Sequence, residues 1–217
     1  MDVMVHPEKT RRLTHAEYVA FEAAASTRHE YHAGQVFALA GGTPEHSLVA
    51  SNVTRLLGNL VASKPCVVLN SDASVYVEAT DLATYPDATV ICGPVTRHPS
   101  LENCVINPVL IVEVLSPSTE AYDRGAKFSH YKRLATFTEY LLIATDRFHI
   151  DHFVREGDGT WRVTEASGRA AVVSLAAIEG SLSLAEVYAK MDLVLGSSEA
   201  PSPRPPGVGH RGAGSDS

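Results

Sequence analysis

The run Leu110-Ile111-Val112-Glu113-Val114-Leu115 constrains this chain more than any other. Its apolar, β-branched composition is that of a short buried strand. Side chains alternate faces along a strand, so Glu113 shares a face with Ile111 and Leu115, while Val112 and Val114 take the other. A strand with one wet face would be polar along all of it. This one is not, and Glu113 is therefore expected in a protein-lined space. A buried carboxylate is costly unless it is paired or bound to a metal. Two readings stand: a Glu tied to a cation or a backbone amide, or a ligand.

Three further positions bear on that choice. Pro86 lacks an N–H and suits the first position of a strand. Asp87 then sits at the mouth of a short apolar strand, Ala88 to Cys92. Acids delivered by two neighbouring strands make an oxygen-ligand site for a hard divalent cation; a plain turn Asp after Pro is the alternative. Downstream, Ser118 or Thr119 caps a helix in which Lys127, Tyr131 and Leu134 fall at i, i+4 and i+7, on one face. Arg124 lies near that face, and Lys132 and Arg133 lie off it. Lys127 can aim its ammonium at the acids, snorkel to solvent or pair with Asp123 on the surface. Glu139 to Ala144 is a further apolar strand.

The string Pro86-Asp87, then Val112-Glu113-Val114-Leu115-Ser116-Pro117-Ser118-Thr119, then Lys127 and Tyr131, resembles the PD-(D/E)XK nuclease superfamily. Within it the chain is similar to the Uma-type restriction endonucleases, over roughly Leu13 to Leu193. Glu30-Tyr31 and Gly34 in an early hairpin, and Pro44-Glu45-His46 before a helix, belong to the likeness. One position departs from the pattern: the superfamily's lysine two after the acid is here Leu115. The resemblance implies a migrated lysine, with Lys127 as the matching residue. It implies Asp87, Glu113 and the Val114 carbonyl as ligands of Mg²⁺ (Mn²⁺ being the alternative), with Glu30 as an auxiliary acid. By spacing alone Glu30 is an ordinary strand residue. The fold implied is α/β: a restriction-endonuclease-like mixed central sheet flanked by helices, with peripheral β-hairpins. The function implied is a metal-dependent endonuclease acting on DNA. An inactive nuclease-like domain that binds nucleic acid or protein, and a structural domain with a buried ionic cluster, are the alternatives. A homodimer is an allowed assembly.

Length and charge agree with one domain. The 217 residues, 45% of them hydrophobic, suffice for one sizeable core. The net charge of −7 excludes a protein that coats DNA by bulk positive charge. Residues 1–12 read as a flexible arm, 13–195 as the domain, and 196–217 as a disordered Ser/Pro/Gly tail. No stretch reaches the roughly 20 apolar residues of a membrane span, and a cytoplasmic protein is expected.

Along the chain, Thr14-His15-Ala16-Glu17 forms a capping box for a helix to about Ser26. A hairpin over His29 to Leu39 turns at Ala33-Gly34, and a helix follows Pro44. His46, near that helix start, has two readings: a contact to substrate or metal, or the commoner helix-terminal surface histidine. Cys66 to Leu69 and Ala73 to Val77 are strands around a turn holding Asp72, the second choice as a metal acid. Glu78 to Tyr85 is a connection. Gly93 to Asn107 is a polar loop whose Arg97 and His98 flank a substrate groove. His149 and His152, at i and i+3 of a strand, face opposite sides and make no metal pair. Gly157-Asp158-Gly159 turns into a strand from Trp161, and Leu182 leads to a short helix. Cys66, Cys92 and Cys104 are an odd number without Cys-x-x-Cys spacing, which argues against a zinc site or a disulfide framework.

Overall fold

The computed structural model describes residues 12–196. The expected arm and tail lie outside the described residues, apart from Arg12 and Gly196. The chain opens with α1 (His15–Ala24), started by the capping box expected at Thr14 and Glu17. The hairpin β1 (His29–His32) and β2 (Gln35–Ala38) follows, then α2 (Pro44–Val61). Next come β3 (Cys66–Asn70), β4 (Ser74–Val77), β5 (Leu82–Thr84), β6 (Ala88–Cys92), β7 (Arg97–His98), β8 (Leu101–Val105) and β9 (Leu110–Val114). A helical run over 120–131, here the site helix, leads to β10 (Glu139–Ile143), β11 (His149–Arg155) and β12 (Trp161–Ser167). The ribbon β13 (Val172–Leu175) and β14 (Gly180–Ser183) precedes short helices at Leu184–Val187 and Met191–Leu195.

The strands form two six-stranded sheets and the ribbon. One sheet has the order β2-β1-β5-β4-β8-β7, and the other β12-β11-β10-β9-β6-β3. Strand β9 is interior to the second, parallel to β10 and antiparallel to β6. That position explains why its five residues are all buried. Its two faces feed different cores. Leu110, Val112 and Val114 pack with α2 and the C-terminal elements, through Val53, Leu57, Leu184 and Val187. Ile111 and Leu115 pack with Phe128, Tyr131, Phe137 and Tyr140, under the site helix and toward the first sheet. The alternation expected around Glu113 is therefore present, and the carboxylate enters the space between the two sheets. Among the described residues no helix is long and apolar enough to cross a membrane.

Three local expectations are corrected. The loop expected over Gly93 to Asn107 contains β7 and β8; β8 pairs in parallel with β4, a contact distant in sequence. The connection expected from Glu78 to Tyr85 contains β5, held between β1 and β4. Cys66 and Cys92 form a disulfide, whereas the odd cysteine count had argued against one. The reason is register: they are directly opposed on antiparallel β3 and β6. Cys104 is left as a buried free thiol.

The bridge closes a sequence separation of 26, which in the chain-entropy account contributes about 3 kcal/mol. Reductant is expected to lower the thermal midpoint of the parent. The double variant Cys66→Ala, Cys92→Ala should start lower and be indifferent to reductant. Cys104→Ala should keep the parent's response.

Candidate functional site

Glu113 enters the site from the middle of the second sheet, and Glu30 from β1 of the first. The site helix crosses over both. It is not a uniform α-helix: Asp123–Lys127 is a π turn between α-helical Glu120–Tyr122 and Phe128–Tyr131. On a regular helix of 3.6 residues per turn, positions i, i+4 and i+8 drift by about 80°. The wider π turn takes back part of that drift. Asp123, Lys127 and Tyr131 are thereby all buried against the sheets.

Lys127 is the hub. Its Nζ stands 2.9 Å from Glu113 Oε1, 3.4 Å from Glu30 Oε1 and 3.4 Å from Asp123 Oδ1. Only 6% of the residue is exposed. The Tyr131 hydroxyl donates to Glu113 Oε1 at 2.8 Å. Glu30 accepts from Thr84 Oγ1 of β5 and, through its other oxygen, from the Tyr122 hydroxyl at 3.4 Å. Tyr140 of β10 donates to the Asp123 carbonyl at 3.1 Å, pinning the π turn to the sheet.

The charges are unequal, with three buried carboxylates around one ammonium. Burial raises the Glu113 carboxyl well above the usual carboxylate range; Lys127 opposes this, while Asp123 and Asp87 push the same way. Burial also raises Asp123. Burial alone would push the Lys127 ammonium down, but Glu113, Glu30 and Asp123 outweigh it and hold the group well above its ordinary value.

Asp87 stands beside this cluster, near enough for its charge to raise the Glu113 carboxyl. Its Oδ2 accepts the Val114 N–H at 2.7 Å and stands 3.4 Å from His46 Nε2. The Asp87 carboxylate raises the His46 pKa above 6.5; burial opposes this, and the Val114 carbonyl supports it. Half-buried His46 thus faces both Asp87 and the Val114 carbonyl, two of the ligands expected from sequence.

The expected residues are therefore distributed in two groups. Glu30, Glu113 and Lys127 are together, with Tyr131 bonded to the cluster. Asp87 is joined to strand β9 at Val114. Asp72 is elsewhere, in an ion pair with Arg28. Arg97 and His98 lie on the far edge of the first sheet: Arg97 borders a groove of about 400 Å³ with Asp72 and Asn103, and His98 packs on Tyr76 and His15. Two residues gained a place that spacing had not assigned them. Asp123 had been read only as a surface partner for Lys127, and is buried. His46, for which a surface position is the commoner expectation and a site contact the alternative, faces Asp87. The i, i+4 spacing of Asp123 and Lys127 carried the first; nothing local carried the second.

A row of side chains also crosses the second sheet on the Glu113 face. Glu113 is opposite Leu142, Leu142 opposite Asp151, and Asp151 opposite Glu165. At the far end His149, Asp151 and Glu165 bring ligand atoms within 4.8 Å of one another, the grouping of three such residues found among the described ones. Two strand spacings, about 10 Å, separate Asp151 from Glu113. Arg124 Nη1 holds Asp151 Oδ2 at 2.6 Å, and its Nε holds Glu120 at 2.8 Å.

Mixed sheets flanked by helices give the chain a nuclease-like fold, which a solved neighbour shares. Residues 15–186 match the Uma2 family, described as "Putative restriction endonuclease". The chain belongs to this family, whose description supports a nuclease. Two uncharacterised proteins of Synechocystis sp. (strain PCC 6803) are similar. One is 36% identical over 76% of this chain and 86% of its own length; the other is 31% identical over 76% and 93%. A solved structure from Anabaena variabilis ATCC 29413, titled a "putative nuclease belonging to DUF820", superposes with a TM-score of 0.65. It is 17% identical and covers 81% of this chain and 97% of its own, a likeness of fold.

Three expected outcomes follow from the geometry. Lys127→Met leaves buried carboxylates without their cation and should cost about 3–5 kcal/mol in urea unfolding at neutral pH. Acid or a divalent cation should recover part of it. Glu113→Gln should change stability by less than about 1 kcal/mol, because Lys127 keeps Glu30 and Asp123, and Tyr131 can donate to the amide oxygen.

The third concerns pH. A folded-state pKa raised above the unfolded value means that the folded protein binds more protons. The stability His46 contributes is then fully present below pH 6.5 and is lost as pH rises through its raised folded value. Without divalent cation, the parent should lose stability relative to His46→Gln across that interval; parallel slopes would refute the pairing with Asp87.

Proposed function

We infer that the protein is a metal-dependent endonuclease that hydrolyses phosphodiester bonds of DNA. The observation that carries this reading is the position of Lys127. Strand β9 lacks a lysine two residues after Glu113, having Leu115 instead. The site helix returns an ammonium to within 2.9 Å of the same carboxylate. Burial of an aliphatic Leu115 in the core beneath the helix fits the transfer of the role.

The donor set suits a hard divalent cation: Asp87, Glu113, the Val114 carbonyl and Glu30 offer oxygen only. The surplus of buried negative charge points the same way. Mg²⁺, with Mn²⁺ as a substitute, would be held by these groups, and would lower the pKa of an attacking water and offset charge on the phosphate. The chain's own residues have distinct tasks. Lys127 orients the water or stabilises the phosphorane-like charge through its N–H donors. Tyr131 fixes the Glu113 carboxylate, and Thr84 and Tyr122 fix Glu30. His46 holds Asp87 while no metal is bound. On this reading the protein acts as one domain over 13–195, alone or as a homodimer.

A second reading has its own observation. Glu113 Oε1 is already engaged by Lys127 and Tyr131, as in a closed ionic cluster of a domain that binds without cutting. Assays on single- and double-stranded DNA and RNA, with Mg²⁺ or Mn²⁺ against a chelator, separate the two. Metal-dependent cleavage of DNA is expected. Lys127→Ala should lower turnover by about a hundredfold or more, and Lys132→Ala, off the site, should have little effect. DNA binding without cleavage under any metal would establish the second reading, and equal losses in both lysine variants would reduce Lys127 to general DNA attraction.

A further inference from the structure

The face of the second sheet turned away from Glu113 carries its own buried polar pair. On β10, Glu139 shares a face with Leu141 and Ile143, which pack into the core on the α2 side. On β11, His152 is opposite Leu141 and so lies on that same face, diagonal to Glu139. Glu139 is 1% exposed and His152 6%. Residues so buried are expected to have their polar atoms satisfied. Glu139 Oε1 accepts the Ala176 N–H at 2.7 Å, where the ribbon's connection passes. Glu139 Oε2 and His152 Nε2, however, are buried without a hydrogen-bond partner. The nearest approach of the pair, His152 Nε2 to Glu139 Oε1, is 3.7 Å, too long for a hydrogen bond.

Both residues line a cavity of about 360 Å³ between β10, β11, β12 and the ribbon. Thr164, opposite His152, and Ser174 of the ribbon line it as well. Arg162 also borders the cavity, but its Nε is committed to Glu156 Oε1 at 2.6 Å, and it does not neutralise Glu139. An imidazole and a carboxylate side by side, each with one buried polar atom unpaired, offer the donor types of a borderline-soft cation. Two donors on one tetrahedral zinc stand roughly 3.3 Å apart; His152 Nε2 lies 3.7 Å from Glu139 Oε1, the oxygen that also accepts the Ala176 N–H.

We propose that Glu139 and His152 bind a divalent cation of the zinc class at this cavity. The site is distinct from the Glu113 site on the opposite face, and the proposal does not rest on the nuclease reading. Hydroxyls of Thr164 or Ser174, or water, complete the shell. The ion ties β10 and β11 to the ribbon through Glu139 and the Ala176 amide. Mg²⁺, which prefers oxygen, is a poor competitor for a site with a nitrogen donor.

The full chain, stripped with chelator and then held in excess Mg²⁺ to satisfy all-oxygen sites, is titrated with Co²⁺ as the spectroscopic stand-in for Zn²⁺. One equivalent is expected to bind with visible d–d absorption, and Zn²⁺ should displace it and raise the thermal midpoint. His152→Ala and the shape-conserving Glu139→Gln should each weaken binding at least tenfold. His149→Ala should leave it unchanged. Absence of Co²⁺ binding by the parent overturns the proposal. So does parent-like binding by a folded Glu139→Gln, which decides the matter even where His152→Ala does not fold. Loss of binding in His149→Ala would place the ion with Asp151 and Glu165 and equally overturn it.

Discussion

The structure depends on one buried ammonium. Lys127 lies where the two sheets and the site helix meet, and it is the cation shared by Glu30, Glu113 and Asp123. Taking a single carboxylate out of water costs several kcal/mol. Three of them in one dry space are tolerable only with a cation among them, and one cation does not balance three. The remaining charge is the property a divalent metal or an extra proton would relieve, and it adds to the burial that raises Glu113 and Asp123.

The architecture follows from that junction. Glu113 is on an interior strand of one sheet, Glu30 on a strand of the other, and Lys127 on the helix over both. No pair of elements assembles the centre alone. The aromatic layer of Phe128, Phe137, Tyr140, Phe153 and Trp161 packs beneath the helix and fixes its height over β9 and β10. Tyr140 serves this layer with its ring and the π turn with its hydroxyl. The packing that holds the helix is thus also what places the lysine.

Both faces of the second sheet carry buried ionisable groups, but in different company. On one, Glu113 has a lysine and a tyrosine, all its donors supplied by protein. On the other, Glu139 has a single backbone amide and an unbonded imidazole nearby. Alternation along β10 and β11 separates the two sets completely: Leu142 and Asp151 point to the Glu113 side, and Glu139, Leu141 and His152 to the other. His149 and His152 consequently belong to unrelated neighbourhoods, as their i, i+3 spacing on a strand requires.

Local pattern by itself determined the strand around Glu113, the two faces of that strand, the capped first helix, the early hairpin, and the lysine–tyrosine stripe of the site helix. These rest on periodicity and end signals, which act over a few residues. Only tertiary structure decided the partners. The parallel pairing of β8 with β4, the insertion of β5 between β1 and β4, and the opposition of Cys66 to Cys92 join segments whose own residues do not encode register. His46 meets Asp87 because α2 packs against the second sheet, and its surroundings in sequence give no sign of it. Asp123 looked like half of a surface pair until the π turn and the two sheets enclosed it. Burial of a charge is set by what closes over it, and that is supplied by elements distant along the chain.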